Sequence, residues 1–317
     1  MRKLWMALPF FLLLAAGAAA AEEWRFEAAP GGLLEIDLKT GGAVVVRAGE
    51  GGAVVREVAR RGRDAGKIRL TAEQTPGGVR VRSEYEGTKS GSGSVDVEVT
   101  VPARFDVQLS TLGGEVSLSG LEGKFSGRTM GGAIRLRELT GEASLTTMGG
   151  GIEVVDSTLD GTVETMGGSI LFRNLEGDLK GKTMGGSVRT EGVRRPAAEA
   201  GGRAEGPVEI TTMGGDVKVA DAPQGARLST MGGDIVVERA ARFVRASTMG
   251  GNVRVREVDG EVDLSTMGGD VEARLVGAGG DVKMESKGAT SRSPCRPASR
   301  PASTSRWRSP PAGVPRS

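Results

Sequence analysis

The tetrapeptide Thr-Met-Gly-Gly returns along this chain on an eighteen-residue clock, and that period restricts the fold more than any other feature of the sequence. Copies begin at Thr129, Thr147, Thr165 and Thr183, then at Thr212, Thr230, Thr248 and Thr266, with a Leu-for-Met version at Thr111. Two residues beyond the second glycine stands Val or Ile every time: Val116, Ile134, Ile152, Ile170, Val188, Val217, Ile235, Val253 and Val271. A short fixed period with fixed apolar positions marks a solenoid, in which each repeat buries its apolar face only against its neighbours.

Counted from each Thr, apolar residues fall at plus 5, 7, 10, 14 and 16, as in Val253, Val255, Val258, Val262 and Leu264, or Ile134, Leu136, Leu139, Ala143 and Leu145. Pairs separated by two are strand periodicity, and the breaks between them are corners. Gly123, Gly141, Gly177 and Gly260 recur at plus 12, where a second corner needs a residue without a side chain. Nothing in the repeat reads as a helix. The expectation is an all-β parallel β-helix of about 18 residues per turn. Nine or ten coils, about 4.8 Å apart, would make a rod roughly 45 Å long. The uneven spacing of the apolar positions favours the right-handed form over the left-handed triangular type, which shows three equivalent hexapeptides per turn.

A repeat array grows along one axis, so 317 residues fit one elongated domain. Residues 1–21 read as a signal peptide: Arg2 and Lys3, an apolar run from Leu4 to Ala16, then small residues before Glu22. Residues 22–110 are strand-rich but less periodic and read as a cap with opening turns. Gly41-Gly42-Ala43-Val44 and Gly51-Gly52-Ala53-Val54 look there like degenerate copies of the corner. The regular solenoid spans 111–288, with a loop insertion near 190–207 where the spacing from Thr183 to Thr212 stretches to 29 residues. Past the signal segment no apolar stretch is long enough to span a bilayer.

After Gly288 the pattern stops and Ser, Arg and Pro take over, a composition that cannot build a core and reads as a disordered tail. A frameshift offers a sharper explanation. If Ala289 to Pro294 is encoded GCG ACA TCA CGG TCA CCG, moving two bases on yields Asp-Ile-Thr-Val-Thr. That restores a Gly-Asp-Ile corner after Gly288 and resembles Val99-Thr100-Val101-Pro102-Ala103. Residues 289–317 are then a C-terminus read out of frame.

The search for chemistry is largely one of exclusion. The chain has no histidine, and its single cysteine, Cys295, lies in the tail, so His triads, thiol catalysis and His or Cys metal sites have no residues to use. Removing Arg2, Lys3 and the six arginines after Gly288 from the 42 basic residues leaves 34 against 40 acidic ones, a mildly acidic body that argues against nucleic acid as partner. Asp216, Asp234, Asp270 and Asp281 follow Gly-Gly corners and could share a cation between coils. The same position also holds Ala133, Gly151, Ser169, Ser187 and Asn252, which favours solvated corner carboxylates. No catalytic, cofactor-binding or metal-ligating residue is assigned. Eight of the eleven methionines occupy one column, Met130 to Met267, expected to pack inward as adaptable filler; turned outward it would be an oxidisable apolar stripe. The Thr column suggests ice binding only weakly, because an adjacent Thr occurs only at Thr146 and Thr211.

The motif Thr-Met-Gly-Gly-Asp-Val, at 212–217 and 266–271, resembles the bacterial putative-adhesin family of β-strand-repeat proteins, a domain of unknown function. The resemblance covers roughly residues 31–288 and implies an exported protein with a parallel β-helix-like fold; it carries no agreed functional residues. The expectation is an exported, non-enzymatic scaffold of the periplasm, cell surface or extracellular space, with surface glycans or envelope proteins as partners and no nucleic acid, cofactor or stable membrane span. A carbohydrate-active β-helix enzyme and a purely structural cell-envelope protein are the alternatives.

Overall fold

The computed structural model describes residues 22–87, 91–192, 207–276 and 280–288. Residues 1–21, expected to be a signal peptide, most of the 190–207 insertion and the tail with its proposed shifted frame lie outside those residues. The described chain is all-β, a solenoid of about nine turns with corresponding residues about 18 apart. Its single helical element among the described residues is a 3-10 turn at Ala65–Lys67.

Each coil carries one strand that ends at the repeat threonine and one that begins at the Val or Ile beyond the corner. The strand Thr140–Thr147 pairs in parallel with Glu122–Thr129, setting Thr129 beside Thr147, and on its other side Thr147 lies beside Thr165. Across the corner, Ile134 sits between Val116 and Ile152. Where no residue breaks the run between the two strands, they merge, as in Ile152–Thr165, Ile235–Thr248 and Val253–Thr266. The insertion leaves this register intact, since Thr183 pairs with Thr212 and Val188 with Val217.

The five apolar positions of the repeat line the interior. Ile134, Leu136, Leu139, Ala143 and Leu145 are all buried, as are Val253, Val255, Val258, Val262 and Leu264. A fully buried Val, Leu or Ile contributes roughly 1.5–3 kcal/mol, so each coil brings a substantial apolar contribution, realised only when another coil lies on each side.

The amino-terminal coils stack out of chain order. The strand Gly32–Leu38 lies parallel to both Gly78–Tyr85 and Phe105–Thr111, and Val44–Ala48 lies parallel to both Gly93–Val101 and Val116–Ser119. The first coil in sequence is therefore the second in space. Beyond the outermost coil the pairing turns antiparallel: Ile68–Thr75 runs along Gly78–Tyr85, Ala53–Gly62 along Gly93–Val101, and Glu23–Phe26 along Ala53–Gly62. These strands occupy an edge that would otherwise present unpaired backbone to solvent.

The two glycine pairs of this region part company. Gly42 donates its N–H to the Gly113 carbonyl at 2.9 Å, so Gly41-Gly42 is a corner in the stack. Gly51-Gly52 is not: it turns the chain into the antiparallel strand Ala53–Gly62, where the partner Glu23–Phe26 takes the edge.

Candidate functional site

The corner column is the most regular feature of the surface and follows from strand alternation. Along Thr140–Thr147, Ala143, Leu145 and Thr147 point inward, while Ser144 and Thr146 face solvent. A threonine at the last inward position leaves a buried hydroxyl that needs partners. The Thr147 Oγ1 donates to the Gly132 carbonyl of the preceding coil at 2.8 Å and accepts the N–H of Gly150 in its own corner at 3.3 Å. The pattern repeats: Thr165 to Gly150 at 2.7 Å, Thr183 to Gly168 at 2.9 Å, Thr212 to Gly186 at 3.0 Å, Thr248 to Gly233 at 3.0 Å and Thr266 to Gly251 at 2.8 Å. Ser286 takes the same place at the last described corner, donating to Gly269 at 2.9 Å. The glycines divide the work. A Cβ on Gly150 would stand 2.2 Å from the Gly132 oxygen, whereas one on Gly149 would meet nothing closer than 3.4 Å.

The methionine column faces outward, which corrects the expectation of inward packing. Met130, Met148, Met166, Met184, Met213, Met231, Met249 and Met267 are 46–54% exposed, and Leu112 heads the column at 55%. The cause is the corner itself. The threonine hydroxyl fixes the last inward position, Met follows on the opposite face, and the two glycines reset the phase so that Val or Ile turns inward again. With their hydroxyls spent inside and the threonines buried, that column presents no surface for ice.

Asp216, Asp234 and Asp270 sit on one line along the rod, and Asp281 does not. The Asp234 N–H donates to Asp216 Oδ1 at 2.9 Å, the Asn252 N–H to Asp234 Oδ1 at 2.7 Å, and the Asp270 N–H to Asn252 Oδ1 at 2.8 Å. Ser187 Oγ accepts from the Asp216 N–H at 3.2 Å, and Ser169 Oγ from the Ser187 N–H at 3.3 Å. The mixture of Ser, Asp and Asn at this position thus reflects a common need for a short acceptor that caps the backbone of the next coil. Asp281 belongs to the second corner, because Val282 pairs with Val262 and so places it beside Glu261. Among the described residues no group of three or more His, Cys, Asp or Glu is placed to hold a metal ion.

Charged side chains pair along the rod at the interval of one coil. Lys124 with Glu142 (3.4 Å), Lys182 with Glu164 (3.0 Å), Arg227 with Glu209 (3.2 Å), Arg254 with Glu272 (3.2 Å) and Arg256 with Glu238 (3.0 Å) are each separated by eighteen residues. Sequence reasoning missed these pairs, although opposite charges at i and i+18 were visible. Glu209 ties three coils together, since Lys180 reaches it at 2.7 Å from the other side. The Lys180 ammonium, with Arg227 assisting, holds the Glu209 carboxyl below its ordinary range against the opposing effect of partial burial. Glu23 is lowered by Arg56 first and Arg25 second, and Asp64 by Lys67 and the Ser92 N–H. These shifts are those of paired carboxylates; a general acid working near neutrality needs the opposite shift.

An open cleft of about 420 Å³ lies where the cap meets the first corners, lined by Gly41, Gly42, Arg61, Asp96, Gly113 and Gly114 among others. Its one buried charge is already committed: Asp96 Oδ1 accepts the Ala43 N–H at 3.0 Å, and Oδ2 meets Arg61 at 2.7 Å. On the array, the half-buried Phe243 is bracketed by the guanidinium groups of Arg227 and Arg245, each 5.6 Å from the ring centre.

No family model matches the chain, and no curated protein matches it. Among solved structures it is similar to a "putative adhesin" from Parabacteroides distasonis, with 13% identity over 84% of this chain and 97% of that one and a TM-score of 0.42. A second protein of the same description, from Parabacteroides merdae, shares 11% identity over 85% of this chain and 98% of that one, with a TM-score of 0.41. A third, from Bacteroides fragilis, shares 14% identity over 84% and 98%, with a TM-score of 0.31.

Proposed function

We propose that this chain is an exported, non-enzymatic β-solenoid that serves as an adhesin-type interaction scaffold of the cell surface or envelope, with surface glycans or envelope proteins as partners. The observation that carries the reading is the outer surface of the coils, where the same kind of side chain recurs in register, coil after coil. The short polar acceptors and the methionine column each form a row with a step of about 4.8 Å, and charged pairs bridge neighbouring coils at several separate positions of the repeat. Rows of this kind give many weak contacts in register, and linked weak contacts add to useful avidity without a deep pocket. The open form of the cleft beside Arg61 and the lowered carboxyls of Glu23, Asp64 and Glu209 favour this reading over the carbohydrate-active alternative.

The test is to incubate the purified protein with bacterial envelopes and with a panel of polysaccharides, measuring sedimented protein and released sugar in the same samples. Saturable co-sedimentation without soluble products is the expected result. Release of oligosaccharides would replace the scaffold with an enzyme, and absence of retention on every surface would leave the purely structural alternative.

A further inference from the structure

We propose that the outward methionine column is a binding ladder for soft monovalent d10 cations, Cu(I) or Ag(I), each held between the thioether sulfurs of adjacent coils. Thioethers are soft ligands that select Cu(I) over the hard cations bound by carboxylates. Here they are the sulfur ligands on the array's surface, in a chain with no histidine and its one cysteine in the tail.

The spacing suits the chemistry. Stacked coils repeat at about 4.8 Å, and two sulfurs on opposite sides of one ion, with the roughly 2.3 Å of a zinc–thiolate bond as the scale, stand about 4.6 Å apart. Neighbouring rungs of the column can therefore clasp an ion with little adjustment of the flexible methionine side chains. The backbone beneath them is rigid. The Met231 N–H donates to the Met213 carbonyl and the Met249 N–H to the Met231 carbonyl, both at 3.2 Å, and the threonine hydroxyls lock each corner to the next.

The column also crosses the insertion unbroken, for the Gly214 N–H reaches the Met184 carbonyl at 2.9 Å. Leu112 occupies the rung above it. Lys287 occupies the rung below, its N–H on the Thr266 carbonyl at 3.3 Å. The run of sulfur is thus bounded at both ends, and eight sulfurs taken in pairs make about four sites per chain.

The experiment uses the full chain carrying Cys295→Ser, which removes the thiol, and titrates it with Ag(I) in chloride-free buffer while following the methyl resonances of methionine labelled with carbon-13. The expected result is a shift of the column resonances that saturates near four ions per chain. Two quadruple variants distinguish bridging from independent binding. Met148, Met184, Met231 and Met267→Leu removes alternate rungs and is expected to lose at least nine tenths of the bound silver, although half of the column sulfurs remain. Met130, Met148, Met166 and Met184→Leu leaves a contiguous run and is expected to keep about half. Equal retention by the two variants would overturn the ladder. Unmoved methyl resonances in the chain with its methionines intact would overturn it without recourse to either variant.

Discussion

The hydroxyl of Thr147 donates to the carbonyl of Gly132, fifteen residues earlier and one coil away, at 2.8 Å, and accepts from the N–H of Gly150 at 3.3 Å. One buried side chain thus satisfies a carbonyl of the previous turn and an amide of its own, which explains why threonine holds this position in every regular repeat. Thr147→Val keeps the shape and deletes both bonds, leaving two backbone groups without partners. The expected cost is about 1–3 kcal/mol, and Thr147→Ser should recover most of it, as Ser286 does naturally at the last described corner. Guanidinium unfolding of the variants side by side measures both.

The two glycines of the motif should differ sharply in tolerance. Gly150→Ala drives a Cβ to 2.2 Å from the Gly132 oxygen, a clash with backbone on a rigid ladder, and is expected to cost at least about 3 kcal/mol or to prevent folding. At Gly149 the nearest atom is 3.4 Å away, so Gly149→Ala should stay within about 1 kcal/mol of the parent. Melting temperatures and soluble yield report the contrast, and equal damage at the two positions would contradict the close-approach explanation.

Asp234 separates a capping role from cation binding. Its Oδ1 caps the Asn252 N–H at 2.7 Å, and Asn252 performs the same task for Asp270. Asp234→Asn is therefore expected to be nearly neutral and Asp234→Ala to lose about 0.5–1.5 kcal/mol, the worth of one hydrogen bond. Millimolar calcium should leave the melting temperature of the parent unchanged; a rise that Asp234→Asn abolishes would restore the shared-cation reading.

Glu209 gives the acid limb a specific contributor. Its folded pKa is depressed by Lys180 and Arg227, so its stabilisation is complete above the unfolded carboxyl value of about 4.3 and is lost as pH falls through the lower folded value. Glu209→Gln should lower stability at neutral pH by about 1 kcal/mol, the scale of partly exposed ion pairs, and the gap from the parent should narrow as pH falls below the unfolded carboxyl value and through the lower folded one. Melting curves at a series of pH values check both the size and the direction.

The period, the parallel stacking and the five inward apolar positions were legible because a solenoid repeats its core in the sequence itself. What could not be read is where alternation is interrupted. The phase of Met130 to Met267 depends on how two glycines reset the strand, and only the hydrogen bonds of Thr147 and its counterparts decide it. Gly-Gly-Asp occurs at both kinds of corner, so the local motif groups Asp281 with Asp216, and only the pairing of Val282 with Val262 assigns it to the second. The order of the first coils was hidden for a different reason. Both strands that flank Gly32–Leu38 in the sheet come from more than forty positions later in the chain, and nothing local to it records which neighbours it receives.

The account turns on a corner with threonine inside and methionine outside, and oxidation of the folded protein tests that arrangement most directly. Under dilute hydrogen peroxide, peptide mass spectrometry should find all eight column methionines converted to sulfoxide at rates close to those of the denatured chain, with the β-sheet circular dichroism and melting temperature retained. Sulfurs that resist peroxide until the protein unfolds, or oxidation that itself unfolds it, would place the column in the core and contradict the structure described for the repeat.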